Sequence, residues 1–218
     1  MLETLIGLAV ILLLGLSIVQ WAFIYEARAV TSHATYMAAR AGAVNEARVR
    51  PMRVAFARAL TPLLAPESSV TGFERRFLGR ATVEASTFTR IRILNPTREA
   101  FVDYGIIDAN GQRVLPFSNL IPEPETPGPA SGLSIHDATL LRVEITYGQP
   151  LNVPFAGPMI ARAALATGWL FSVFDAYESS LLAMGRLPIK TTSTVRLHTN
   201  ALPSNAILSR AEVRRLTD

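Results

Sequence analysis

Three histidines, one carboxylate pair and one isolated glutamate are the residues whose types and spacing could do chemistry. His33, His136 and His198 have no partner at an H-x-x-x-H spacing, which would put two metal ligands on one helix face. They read as surface or satisfied histidines. His136 adjoins Asp137, but sequence neighbours do not face each other usefully. Asp175 and Glu178 are three apart on a helical stretch, so they share a face, and two carboxylates can do general acid–base work. A solvated helix face is the plainer reading, and it is the one we take. The 218 residues include no cysteine, which excludes disulfides, thiolate metal sites and a cysteine nucleophile. Neither a nucleophile elbow nor a Gly-rich phosphate loop occurs. The expectation is a protein that is not an enzyme, with no catalytic residues, no metal, no cofactor and no small-molecule substrate.

Glu3 is different. A carboxylate immediately ahead of an apolar run is costly unless it sits at a membrane interface or is paired. One cation that could pair with it is the N-terminal amine of another chain.

The element that positions Glu3 is a membrane helix. Leu5–Tyr25 is 21 residues without a charge, 13 of them Leu, Ile, Val or Phe. At about 1.5 Å per residue the run reaches roughly 31 Å, against a hydrocarbon core of about 30 Å. Trp21 and Tyr25 stand at its end, where amphipathic rings prefer the headgroup level. The run is too long, and its start too poor in basic residues, for a cleaved secretory signal. A permanent anchor is expected. Six arginines, from Arg28 to Arg58, follow the span against Glu26 and Glu46. Read literally, that bias puts the C-terminal side in the cytoplasm. The net charge is +4, with Lys190 the one lysine among 21 basic residues. These are interleaved with Asp and Glu rather than gathered in a stripe, so no nucleic-acid partner is expected.

The helix continues past the membrane. Ala27, Val30, Ala34, Met37, Ala41 and Val44 recur at alternating spacings of three and four, a small-sided seam that Ala38, Ala39, Gly42 and Ala43 widen. Small residues let helix backbones approach closely. The seam can pack on identical helices in an assembly, on the protein's own domain, or on each along different lengths. Pro51 should break or kink the rod, a second helical stretch should run from Met52 to Leu64, and Pro62 and Pro66 should end it. The expected organisation is a transmembrane segment over 1–25, a helical extension over 26–66 kinked near Pro51, and a globular α+β domain over 67–218.

Within that domain the period changes to two. Ala81–Ile93 reads as a strand with a bulge at Phe88. Phe101–Ile107 and Gln112–Leu115 flank Asp108-Ala109-Asn110-Gly111, a hairpin signal. Leu141, Val143, Ile145 and Tyr147 alternate with polar residues in the clearest strand of the chain. Ile189, Val195 and Leu197 mark a last one. Such half-apolar strands suit an antiparallel sheet packed on a helix. Residues 118–134 are rich in Pro and Gly and read as an exposed loop, either a contact surface or a connector. Met159–Met184 reads as one helix. Its longest uncharged run, Ala163–Phe174, has 12 residues, too short to span a bilayer and suited to a core or interfacial position. The fold class is therefore α+β: a long N-terminal transmembrane helix, then a small antiparallel-sheet domain with at least one additional helix.

Leu2-Glu3-Thr4-Leu5-Ile6-Gly7, the apolar run, and Ala38-Ala39-Arg40-Ala41-Gly42-Ala43 resemble the N-terminal module of TadE-like proteins, pilin-like subunits of the tight-adherence pilus, a branch of the type IV filament systems. Leu140–Tyr147 with Pro150-Leu151-Asn152-Val153-Pro154 resembles a strand and proline pair of longer members. The resemblance implies a single-pass bacterial inner-membrane protein with its C-terminal domain in the periplasm, processing by a prepilin peptidase, and a place in or under an extracellular pilus. Its partners would be the membrane and other pilin-like subunits, or copies of itself, through the N-terminal helix. The family's assembly glutamate matches Glu3, which is third here where related subunits carry it fifth from the cleaved end. A basic leader upstream of Met1 would restore both that count and the usual charge bias. The function expected is a non-enzymatic pseudopilin or minor pilin. The rival is a membrane-anchored periplasmic protein that binds a ligand or partner without entering a filament.

Overall fold

The computed structural model describes residues 2–64, 73–117, 126–171 and 174–217. Eight helices and five strands occur among them. α1 is a single helix from Leu2 to Val44, and α2 covers Val49–Leu64. α3 (Phe73–Thr87) precedes β1 (Thr89–Asn95). The short α4 (Ala100–Tyr104) leads into a two-stranded hairpin of β2 (Ile106–Ile107) and β3 (Arg113–Val114). α5 (Ile135–Ala138) precedes β4 (Leu140–Pro150). α6 (Ala156–Phe171) and α7 (Ala176–Ala183) come next, then β5 (Arg186–Arg196) and α8 (Arg210–Thr217). β1, β4 and β5 form a small antiparallel sheet with β4 in the middle. The chain is α+β, with one long apolar N-terminal helix.

Two compact units divide the chain: residues 1–31 with 146–190, and residues 32–145 with 191–218. In the first, Tyr147, Val153, Ala156, Ala161, Leu181, Leu182 and Ile189 are buried, together with Ile24 and Ala27 of α1. Gly148 packs closely there: a Cβ would come within 2.7 Å of Leu181 Cδ2. In the second, Met52, Phe56, Ala57 and Leu60 form the buried stripe of α2, spaced as one helix face. α2 packs on α3, and Ile93, Leu115, Leu141, Val143 and Ile145 complete the core. The C-terminal segment is tied in by backbone pairing. Ile93 N–H donates to Ala206 O at 2.8 Å, Ile93 O accepts from Leu208 N–H at 3.0 Å, and Leu115 and Ala201 exchange bonds of 2.9 and 3.0 Å.

Several expectations are corrected. The break after the first helix falls at residues 45–48, not at Pro51. Glu46 and Ala47 both take φ of 57°, and Ala47 N–H bonds Gly42 O at 2.9 Å, a left-handed helix terminus made without glycine. Pro51 lies in the first turn of α2, where a missing N–H leaves no bond unmade. Pro62 lies in the last turn of α2, which runs to Leu64 as expected, and Pro66 is outside the described residues. Residues 81–87 are helix, not strand. Ala81 and Ala85 are buried while Val83 is 63% exposed, so the apolar residues that looked like an alternation are the i and i+4 positions of one helix face. Phe88 is the junction between helix and strand rather than a bulge, its N–H bonding Glu84 O at 2.9 Å. Residues 101–104 are helical, so the hairpin is only two pairs long, Ile106 with Val114 and Ile107 with Arg113. The helix expected over Met159–Met184 is two helices. α8 was not anticipated.

Candidate functional site

The candidate site is the length of α1, and residues 6–19 of it are mostly exposed. Leu8, Ile11, Leu12 and Ile18 are 58–70% exposed as a group with Leu14, and only 6% of the most apolar 18-residue window of the helix is buried. A core helix of a soluble protein would be mostly buried. This one is long and apolar enough to cross a membrane. The polar groups inside it are satisfied. Ser17 Oγ donates to Leu13 O at 2.8 Å, and Gln20 Oε1 accepts the Val153 N–H at 3.0 Å. Such internal pairing is what a lipid environment demands, since it offers no hydrogen-bonding solvent. Glu3 falls in the first turn of α1, but its side chain lies outside the described residues.

The seam splits into two halves. Ala27 and Ala34 are fully buried, as are Ala38 and Ala39 beside them. Val30 and Ala41 are half-buried. Met37 is 37% and Val44 54% exposed. Thr35 Oγ1 and Thr191 Oγ1 share a buried hydrogen bond of 2.6 Å, which fastens the buried face of α1 to β5. At Gly42 a Cβ would run into the Met52 side chain and come within 3.1 Å of Leu141 Cδ2, so helix and core meet there without room for a methyl group. The helix end is sealed by the chain near residue 200. The Ala43 carbonyl accepts from His198 N–H at 3.0 Å and from Thr199 Oγ1 at 3.1 Å, and Thr199 Oγ1 also accepts from Glu46 N–H at 2.9 Å. These bonds satisfy carbonyls that a helix terminus otherwise leaves open.

The carboxylate pair read as a solvated helix face is not one. Asp175 is the N-cap of α7 and accepts from Glu178 N–H at 3.0 Å, while Glu178 Oε2 accepts from Asp175 N–H at 3.3 Å. This is a reciprocal capping box. Glu178 is fully buried, and its Oε1 lies 2.7 Å from Lys190 Nζ. The one lysine of the sequence therefore neutralises a dry carboxylate. Asp-x-x-Glu ahead of an apolar run was the signal that could have shown the cap.

His33 and His198 are exposed and His136 is half-buried. Asp137 is engaged with Ser134, the N-cap of α5, which accepts from Asp137 N–H at 3.1 Å and donates to its Oδ2 at 2.9 Å. Among the described residues no three His, Asp or Glu are grouped to hold a metal ion. In the Pro/Gly-rich loop, residues 118–125 lie outside the described residues, and the rest is held to α4. Asp103 Oδ2 accepts from Ser131 N–H and Oγ, both at 2.7 Å, and Tyr104 Oη donates to Leu133 O at 2.7 Å. Burial pushes the Asp103 carboxyl up, but the Ser131 side chain and the Ser131 and Ala130 amides outweigh it and hold its pKa below the ordinary value.

A cleft of about 590 Å³ opens in the second unit, lined among others by Asn95, Ser131, Asp137, Arg142, Arg210 and Arg214. Among the described residues no aromatic side chain lines it, and Arg210 Nη1 is already spent on Ala130 O at 3.2 Å. No protein-family model, no curated protein and no solved structure matches the chain.

Proposed function

We propose that this chain is a membrane-anchored, non-enzymatic pilin-like subunit, a pseudopilin or minor pilin of a tight-adherence type IV-like pilus, with its folded part on the periplasmic side of a bacterial inner membrane. One observation carries the reading. α1 is an unbroken helix whose residues 6–19 form a mostly exposed apolar surface, and whose second half presents small residues partly used by its own fold and partly left open. A rod of that kind can stand in a bilayer as a monomer and pack side by side with its copies once extracted, because small side chains permit close helix approach. The TadE-like character of residues 2–7 and 38–43 supports the same reading. Met37 and Val44 are the seam positions open to a neighbour, while Ala27 and Ala34 serve the subunit itself.

The rival, an anchored module that binds a ligand, has the cleft of the second unit in its favour. Binding clefts are mostly apolar and aromatic with a few convergent polar groups, and this one sets Leu94, Leu133, Leu140 and Val213 beside three arginines, with no aromatic among the described lining residues. Cross-linking decides between the two readings. The sequence has no cysteine, so Met37→Cys gives a single thiol. Oxidation in cells should yield covalent dimers of this variant if the seam faces a second copy. A strictly monomeric product, with the thiol shown to be reactive, would remove the assembly reading.

A further inference from the structure

The first unit carries a second apolar surface that its own fold leaves uncovered. α6 has one charged residue, Arg162, in its sixteen. Its Gly157, Ala161 and Gly168 are buried, and they lie on one face by helical spacing. Met159, Ala163 and Ala166 lie on the opposite face and are exposed, Met159 by 53%. Just before the helix Phe155 is 72% exposed at a φ of 62°, a left-handed conformation that a bulky residue rarely adopts. At about 1.5 Å per residue, sixteen residues reach roughly 24 Å, too short to cross a hydrocarbon core of about 30 Å.

A hydrogen bond fixes the level at which α6 begins. The buried Gln20 Oε1 accepts the N–H of Val153, three residues ahead of the helix. Gln20 stands five residues before Tyr25, about 7.5 Å nearer the membrane centre along a helix rising about 1.5 Å per residue. Segment 153–156 therefore meets α1 below the Trp21–Tyr25 belt, inside the depth of about 5–10 Å at which interfacial helices bury their apolar faces. The Gln20 amide supplies the acceptor that a backbone N–H needs at that depth.

We propose that α6 lies in the headgroup layer of the bilayer that α1 crosses, with Phe155, Met159, Ala163 and Ala166 against lipid. The occupant of this surface is lipid because the segment that leads into it is bonded to α1 at the depth of the apolar run. Arg162, at the edge of the exposed face, extends its apolar stem along that layer and keeps its guanidinium at the phosphates. The unit then rests on the membrane at two places, and its orientation about the axis of α1 is set. This proposal depends on the anchor but not on filament assembly.

The test uses the full chain in liposomes of phosphatidylcholine and phosphatidylglycerol, with nitroxides on Met159→Cys, Ala163→Cys and, as reference, Ile11→Cys. Collision with dioxygen and with a water-soluble nickel chelate reports depth. At Met159 and Ala163 dioxygen should dominate several-fold over the chelate, at a depth shallower than at Ile11. If Ile11 reads as lipid-exposed while Met159 and Ala163 meet the chelate as freely as a label in buffer, α6 is in water and the proposal is overturned with the anchor intact. If Ile11 itself reads as aqueous, the anchor fails and the proposal with it. If both reagents are excluded at Met159 and Ala163, protein covers the face and lipid does not. Spectral broadening that grows with the protein-to-lipid ratio would then identify a second copy.

Discussion

Ala34→Leu and Met37→Lys separate the two halves of the seam. Ala34 has no exposed surface, so three added carbon atoms have no space, and overpacking of a filled site costs about 1–3 kcal/mol. For a chain of this size each kcal/mol moves Tm by about 2–4 °C, so a fall of roughly 2–12 °C is expected. Met37 is 37% exposed, and a change at such a surface position stays near ±0.5 kcal/mol, or less than about 2 °C. In an assembly the order reverses. An unpaired Lys buried between two helices costs about 3–5 kcal/mol, enough to lower subunit association by two orders of magnitude or more. Thermal unfolding of the full chain in detergent micelles and the cross-linked fraction in cells are read on the same variants. The reasoning fails if Met37→Lys assembles like the wild type, or if Ala34→Leu leaves Tm unchanged.

Glu178 and Lys190 should be unequal partners. Lys190→Met strands a carboxylate that is fully buried and should cost about 3–5 kcal/mol. Glu178→Gln leaves an ammonium whose side chain is 45% exposed and should cost less than half as much, as urea unfolding will show. Asp103 has a folded pKa below its ordinary 3.8, so it binds protons more readily in the unfolded chain. Its contribution is complete above pH 3.8 and is lost as pH falls through the lower folded value. The acid-unfolding curve of Asp103→Asn should therefore be flatter than that of the wild type in that window. Glu3→Gln removes a charge next to the apolar run, so it should insert in the membrane normally yet fail to join filaments, read by fractionation of sheared cells.

The long apolar helix was legible because a run of 21 uncharged residues has few alternative fates. β4 was legible because Leu141, Val143, Ile145 and Tyr147 are all buried on one face, which a period of two reports directly. Residues 81–87 misled because Ala81 and Ala85 satisfy both a helical and a strand spacing, and a window of seven residues does not separate them. The end of α1 was misplaced because its stop rests on Glu46 and Ala47 at positive φ, held by bonds from residues some 150 positions later. Local sequence carries no trace of such a bond. Of the seam, the spacing showed that a face exists but not which half the fold itself consumes. That division depends on tertiary neighbours such as Thr191. The role of Gln20 was hidden for the same reason, since its partner is Val153.

The most direct test of the central reading is to shear cells that express the full chain and to follow it between the sheared filaments and the cell membrane. A pilin-like subunit is expected in the filament fraction, with its Met37→Cys variant cross-linked there. Retention of the whole population in the membrane fraction, from cells whose filaments are recovered intact, would contradict it.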